Sequence, residues 1–499
     1  MRPELHPRRI PLPGIFWGAL HPGEVFLILV WLSIQDQRSF GRFEILLPKY
    51  RGSELRCIPP RIHSHLHAED LICMEEVMDR QLFISPESLV ERIFQFSESK
   101  QPRHRVFFQE MITGLLGSKS ALVANVARFL DEPTELKQTE KRLCRMLNND
   151  QIPWEELKTR VTELEARRVN PDDVIAFDPG DIVKKYALKM ENLYRVHDGS
   201  QDDCGNGYED FQVEAIQWKD GKKHHIPLYQ KLINAKCEDY ISQNAQICDA
   251  IYAVHEHLGD KKGVWCFDRG HDRSRIFEKA LLPLSPKMRW IVRAKENRAV
   301  IPINPAYQNP RQYHPGLFDL ARQIPLSGQP IRLTFPKVTG ELFVGWERVR
   351  LAMDERDTEL TVLVVHDRRN TEPVVLLSNL EVSSMEDAIV TFGYYLERWG
   401  KEEGYRFTKS FLNAEDVRML NWEGIQNLNW LIYLTYVFVT LFYQSAPAEI
   451  DRLCEKRLKH FRDIDEVGYR YYRVASLMRI LLWEQRGKPS IALSMTEVG

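Results

Sequence analysis

Two runs of four apolar residues, 174–177 (VIAF) and 264–267 (VWCF), each lead into an aspartate, Asp178 and Asp268, and then into a turn, Pro179-Gly180 and Arg269-Gly270. A short unbroken apolar run punctuated by Gly or Pro reads as a strand buried on both faces. A carboxylate is expensive to bury unless it is paired or bound to a metal, and the ends of strands in open α/β sheets are where sites collect. A third run, 290–292, ends at Arg293, and residues 230–258 between the first two aspartates read as helix. The pattern is α/β.

At 499 residues, the chain has room for two to four domains of roughly 100–200 residues. With 43% hydrophobic and 28% charged residues, it is neither a disordered chain, a collagen-like fibre nor a polytopic membrane protein. Its net charge of −2 shows no global basic excess, so any DNA surface must be a local patch. Eight cysteines without a CxxC pair fit reduced thiols in a cytoplasmic protein.

Residues 1–70 read as an uncertain leader. Their apolar run at 25–34 is ten residues long, too short for a bilayer span of about 20, and no small-residue cleavage site follows it. His63, His65 and His67 alternate but lack a partner cysteine or acid pattern. Residues 71–165 read as a helical, candidate DNA-binding domain, with Ser85 as a helix N-cap ahead of Pro86. Residues 166–297 form the first α/β part. Residues 298–378 form a β-rich insertion with strands at 331–335, 341–346, 359–366 and 374–377. Helix returns from Ser383, in a second core part at 379–445 and a C-terminal helical region at 446–499. The apolar stretch 430–443 reads as a buried core helix. Residues 452–488 carry ten Lys/Arg against five Asp/Glu, with Arg470, Arg473 and Arg479 interleaved with Tyr469, Tyr471 and Tyr472. That region suits either a DNA or subunit contact or a solvated helix face. His224-His225 reads as surface.

The segment 394–410 (YYLERWGKEEGYRFTKS) holds Tyr395, Arg398, Glu402 and Lys409, separated by gaps of two, three and six residues. On one continuous helix, at about 100° per residue, the four fall within roughly 60° of one another. Spacing alone is equally met by an ordinary Arg398–Glu402 ion pair.

Together with Asp178 and Asp268, this element resembles the DDE transposases of bacterial insertion sequences that carry the YREK signature. Residues 377–388 (LSNLEVSSMEDA), 177–187 (FDPGDIVKKYA) and 267–272 (FDRGHD) share the resemblance, which covers about residues 75–480. It implies an RNase H-like catalytic core interrupted by an antiparallel β insertion and flanked by helical regions. Asp178, Asp268 and Glu402 would be the catalytic acids and the ligands of two Mg²⁺ (or Mn²⁺) ions, with Asp178 bridging both. Tyr395, Arg398 and Lys409 would grip the phosphates of the transposon end, and Lys184, Lys185 and Lys189, which follow the first aspartate, would lie along the DNA. The implied partners are double-stranded DNA, as terminal inverted repeats and target, and a second copy of the chain. The implied reaction is metal-dependent cleavage followed by transfer of the freed 3′-OH into target DNA. A nuclease without strand transfer and a DNA-binding derivative without catalysis are the alternatives.

Overall fold

The computed structural model describes residues 85–184, 187–198, 203–237, 240–308, 315–331, 340–367, 369–458 and 469–485. The leader with its three histidines, Lys185 and positions 332–335 of the first insertion strand lie outside these residues.

Among the described residues, five helices precede the first strand: α1 (Pro86–Phe94), α2 (Pro102–Ser118), α3 (Val123–Leu130), α4 (Leu136–Leu147) and α5 (Trp154–Ala166). The α1 start is as expected from its sequence. Ser85 is extended, its side chain accepts the Ser88 N–H, and Pro86 occupies the first turn. Then follow β1 (Val174–Val183), β2 (Tyr194–Asp198), β3 (Asp203–Lys219), β4 (Lys222–Ile233), α6 (Gln243–Leu258), β5 (Val264–Phe267) and β6 (Arg289–Arg293). The insertion contributes β7 (Val300–Pro302), β8 (Leu342–Leu351), β9 (Leu360–Asp367) and β10 (Val374–Ser378). The chain returns to helix in α7 (Met385–Glu397), α8 (Gly400–Arg406), α9 (Trp422–Ser445), α10 (Pro447–Arg457) and α11 (Tyr471–Gln485).

The ten strands of the described residues join one mixed sheet in the order β2-β3-β1-β5-β6-β10-β9-β8-β7, with β4 on β3. β1, β3 and β4 form an antiparallel meander. β5 runs parallel to β1, and β6 runs parallel to β5. β10 then pairs antiparallel with β6, so the insertion extends the core sheet rather than standing apart from it. Helices cover both faces. Ile175, Phe177, Trp265, Phe267, Trp290 and Val292 pack with Ile247, Ile251 and Val254 of α6 on one side. Val174, Ala176, Val264, Cys266 and Ile291 pack with Phe392, Tyr395 and Leu396 of α7 on the other. The strict alternation follows from the two-residue period of a strand.

The apolar stretch at 430–443 lies inside α9, a helix of 24 residues whose most apolar window is 94% buried. Its length and composition would suit a membrane span, but its burial makes it the hub of a helical core. It packs Trp430 against Phe108 of α2 and Trp154 of α5. The helices α1–α5 therefore share one apolar cluster with α9 and α11.

Two sequence expectations change. Residue 230 belongs to β4, and the helix begins only at Gln243, capped by Ser242, whose side chain accepts the Ala245 N–H. The first aspartate is not at a strand end, because β1 continues through Pro179 to Val183 against β3. Proline is tolerated there because β5 stops at Phe267, which leaves that stretch of β1 with an open edge.

Leu434 is fully buried in α9, whereas Leu420 is exposed. Leu434→Ala should cost about 2–5 kcal/mol through lost burial and a residual cavity, and Leu420→Ala should stay within about 0.5 kcal/mol. Chemical denaturation of both variants checks this.

Candidate acidic active site

The parallel pairing of β1 with β5 matches Val174 with Val264 and Ala176 with Cys266. Continued by two residues, that register sets Asp178 beside Asp268. Both keep the parity of Ala176 and Cys266, so both point to the face covered by α7. On the other side of β1, Asp178 is matched with Gln212 of β3, which is matched with Gln230 of β4. One polar row thus runs from Asp268 at the end of β5 across β1, β3 and β4.

The YREK segment lies over this row. A capping box opens α7: the Ser384 side chain accepts the Asp387 N–H, while the Asp387 carboxylate accepts the Ser384 N–H. Arg398 and Trp399 keep right-handed helical angles between α7 and α8, and a π-helical turn, Phe407–Phe411, follows. The segment is therefore a nearly continuous but distorted helix. It sits close on β1 because Gly180 has no side chain. A Cβ there would lie 2.1 Å from the Tyr405 ring. The Tyr405 hydroxyl donates to the Asp181 carbonyl, and the Lys409 ammonium meets the carboxylates of Asp181 at 2.8 Å and Glu415 at 3.1 Å. Arg398, Glu402, Tyr405 and Lys409, spaced by four, three and four residues, make one helical stripe along the second half of β1.

Arg398 is 7% exposed, and its charge interacts with Tyr395, Asp178, Asp268 and Glu402. Burial works against the guanidinium, and these neighbours more than offset it, so its pKa rises. The two aspartates diverge. Burial raises Asp178, and repulsion from Asp268 adds to that, against the attraction of Arg398, His271 and Lys401. Asp268 also suffers burial, but the hydrogen bond and charge of His271, with Arg398, bring it down to about 2. Neighbouring acids with opposite shifts are a mark of functional sites.

The expected DNA contacts are placed unevenly. Tyr395 is buried in the α7–sheet core and, with Arg398 above its ring at 5.8 Å, presents no phenol at the surface. Arg398 is likewise buried against the acids. Lys184 is corrected from a DNA contact to an internal fastener. Its buried ammonium donates to the carbonyls of Ala414 (3.4 Å), Val417 (3.0 Å) and Glu415, and burial lowers it to about 8. Lys409 stays partly exposed, and Lys189 is exposed. The tyrosines of the C-terminal region serve the core: Tyr469 and Tyr471 are buried, and Arg470 pairs with Asp451 at 2.6 Å.

Several residues of this site were not singled out in the sequence. Next to Glu402, Lys401 is 1% exposed, and its ammonium donates to Gln212 at 2.9 Å with Glu214 at 3.7 Å. Glu214 accepts from Tyr436 at 2.7 Å and meets His225 at 2.5 Å. His224 is also buried, stacked on Tyr443, and burial followed by repulsion from Lys219 and Arg470 lowers it to about 4. The histidine pair is therefore internal, not surface. Beyond β5, His271 bonds Asp268 at 2.6 Å, and buried Asp272 accepts from Arg298. The FDRGHD string contains this pair, but nothing in its spacing marks them.

The donor chemistry suits a hard divalent cation, since the acids offer only carboxylate oxygens, and the repulsion between Asp178 and Asp268 would be relieved by one. Among the described residues, no three His, Cys, Asp or Glu side chains stand close enough together to hold an ion. The aspartate pair is the part that fits, with Glu402 as an outlying third acid.

Gly180→Ala should lift α8 from β1, lowering the melting temperature and separating Glu402 from the aspartates. Asp178→Asn should raise the melting temperature, because it removes a carboxylate whose ionisation is opposed by burial and by Asp268. Differential scanning calorimetry of the two variants at neutral pH checks both signs.

No family model matches the chain, and no curated protein is significantly similar to it.

Proposed function

We propose that the protein is a DNA transposase that cleaves phosphodiester bonds at transposon ends and joins the freed 3′-OH to target DNA, with a divalent metal requirement. The observation that carries this reading is the convergence of Asp178 and Asp268, level on adjacent parallel strands, with Glu402 on the helix that crosses them. Strand order supports it as well. An antiparallel β1-β3-β4 meander with β5 and β6 added parallel on the β1 side is compatible with the RNase H-like core this reading calls for, and the antiparallel β7–β10 strands are interposed before the Glu402 helix.

Asp178 and Asp268 would hold the first divalent ion between them, with Glu402 completing the acid set for two ions. When bound, such ions supply charge neutralisation on the phosphoryl group and activation of the attacking oxygen. The chain's own residues have separable tasks. The His271 contact keeps Asp268 ionised and thus an acceptor. Arg398 tempers the repulsion among the acids, and its guanidinium geometry suits a phosphate as well as a carboxylate. Lys409 offers a point charge at the rim, where Asp181 and Glu415 hold it. α8 ties Glu402 to β1 through Tyr405 and to β3 through Lys401. The DNA would be double-stranded, carrying the element's terminal repeats and the target, and a second copy of the chain would pair the two ends. Action on chromosomal DNA in a bacterial cytoplasm follows from this reading.

The test uses labelled duplex DNA bearing the inverted repeats that flank the gene, with Mg²⁺ or with EDTA. Nicking at the repeat boundary should require the metal. Glu402→Ala should lower the rate by on the order of a hundredfold or more, since several kcal/mol of charge stabilisation is at stake. Repeat-specific binding with no cleavage in wild type or variant would favour the binding-only derivative.

A further inference from the structure

The ring of His271 is wedged between two phenylalanines from the strands that carry the aspartates. Its centroid lies 5.2 Å from that of Phe177 and 5.3 Å from that of Phe267. Phe177 immediately precedes Asp178, and Phe267 immediately precedes Asp268. The imidazole is 1% exposed, so the two rings and the short 3-10 turn Arg269–His271 fix its plane. Backbone bonds reinforce the turn: the His271 N–H donates to the Asp268 carbonyl at 3.2 Å, and the Arg273 N–H donates to the His271 carbonyl at 2.8 Å. The next residue, Asp272, is anchored by the Arg298 side chain at 2.5 Å and the Lys295 N–H at 2.5 Å.

From this fixed position, Nδ1 lies 2.6 Å from Oδ1 of Asp268. An ionised carboxylate can only accept, so Nδ1 carries the proton of that bond. The other ring nitrogen tells against a purely structural role. Nε2 is buried and has no hydrogen-bond partner. A buried polar atom left unpaired costs stability, and a phenylalanine in the same slot would pack between the same two rings without that cost. Packing alone does not account for a histidine here. Asp268 itself is exposed enough, at 38% of its side chain, to swing if released.

We propose that His271 is a positioning residue, holding the Asp268 carboxylate in one orientation beside Asp178 for phosphodiester cleavage. The inference rests on the functional reading above. It assigns His271 no contact with DNA or with the reacting atoms. Its effect passes through Asp268, as the outer partners of ligating side chains act in metal sites.

Two substitutions separate orientation from packing. His271→Phe keeps the ring contacts and deletes the donor. His271→Asn deletes the ring contacts but places an amide N–H near the position of Nδ1. The measurements are the rate and KM of Mg²⁺-dependent cleavage of the repeat duplex, DNA affinity and melting temperature. His271→Phe should melt at or above the wild-type temperature and bind DNA unchanged. It should cleave about 10–100-fold more slowly, with the loss in kcat rather than KM. His271→Asn should recover most of that rate although it is the less stable of the two. Wild-type cleavage by His271→Phe, or a rate that tracks melting temperature across the variants, overturns the inference and leaves the transposase reading standing. A wild-type protein that shows no metal-dependent cleavage sinks the transposase reading itself, and the role in cleavage with it.

Discussion

Two parallel strands in register force two carboxylates to lie side by side. β1 and β5 are held level by their backbone ladder, and the apolar residues below Asp178 and Asp268 fix which face each strand presents. Slipping either strand by one residue would send its aspartate, and every alternate side chain, to the opposite face. The repulsion between the acids is therefore not something the chain can relax by moving a strand. It has to be met by the positive charges of Arg398 from the helix above and Lys401 from the far side of α8, and by the hydrogen bond that His271 makes to Asp268 from the turn beyond β5.

That requirement explains why the crossing helix is tied down so heavily. A charge placed over an acid pair is useful only if it stays in place. Tyr405 lies on the bare backbone of Gly180, Lys409 reaches Asp181, and Lys184 fastens the loop that follows. On the other flank, Lys401 enters a buried network with Gln212, Glu214, His225 and Tyr436. Asp210, also buried, accepts from Gln212, Gln230 and Asn429. Buried charges of this kind add little net stability over apolar packing, but removing one partner leaves another unpaired. Their effect here is geometric: the register in which α8 rests on β3 is the one that brings the buried Lys401 ammonium to Gln212 and Glu214.

How far the sequence could be read follows the same physics. VIAF and VWCF were legible as buried strands because nothing polar interrupts them, and Ser85-Pro86 was legible as a helix start because capping is local chemistry. The β3–β4 hairpin was not. Its inward face carries Asp210, Gln212, Glu214, His225 and Gln230, which resemble solvent-facing residues until their partners on α8 and α9 are known. For the same reason His224 and His225 read as surface and Lys184 as a free cation. Each is buried through a contact made across more than 200 positions of chain, such as Lys184 to Val417 and His225 to Tyr471. Asp178 read as a strand end because Pro179-Gly180 resembles a turn, yet the missing neighbour beyond Phe267 lets the strand continue. The YREK spacing placed four side chains on one stripe, but it could not tell that Tyr395 and Arg398 lie under the helix and Lys409 near its rim.

The charge balance at the acids bears on what can approach them. Asp178, Asp268 and Glu402 bring three negative charges, and Arg398 is buried among them. Lys401 contributes from behind, but its ammonium is shared with Gln212 and Glu214. The site therefore retains negative charge, and a phosphodiester, itself an anion, would be repelled from it. Asp268 cannot shed its charge near neutral pH, since its pKa lies at about 2. Protonating Asp178 would remove one charge at the expense of a ligand. On the transposase reading, a divalent cation held by the carboxylates would remove the obstacle without that loss, since such an ion can take phosphate oxygens as well. On the transposase reading, the metal is then needed before chemistry begins, as the condition for the DNA backbone to enter the site at all.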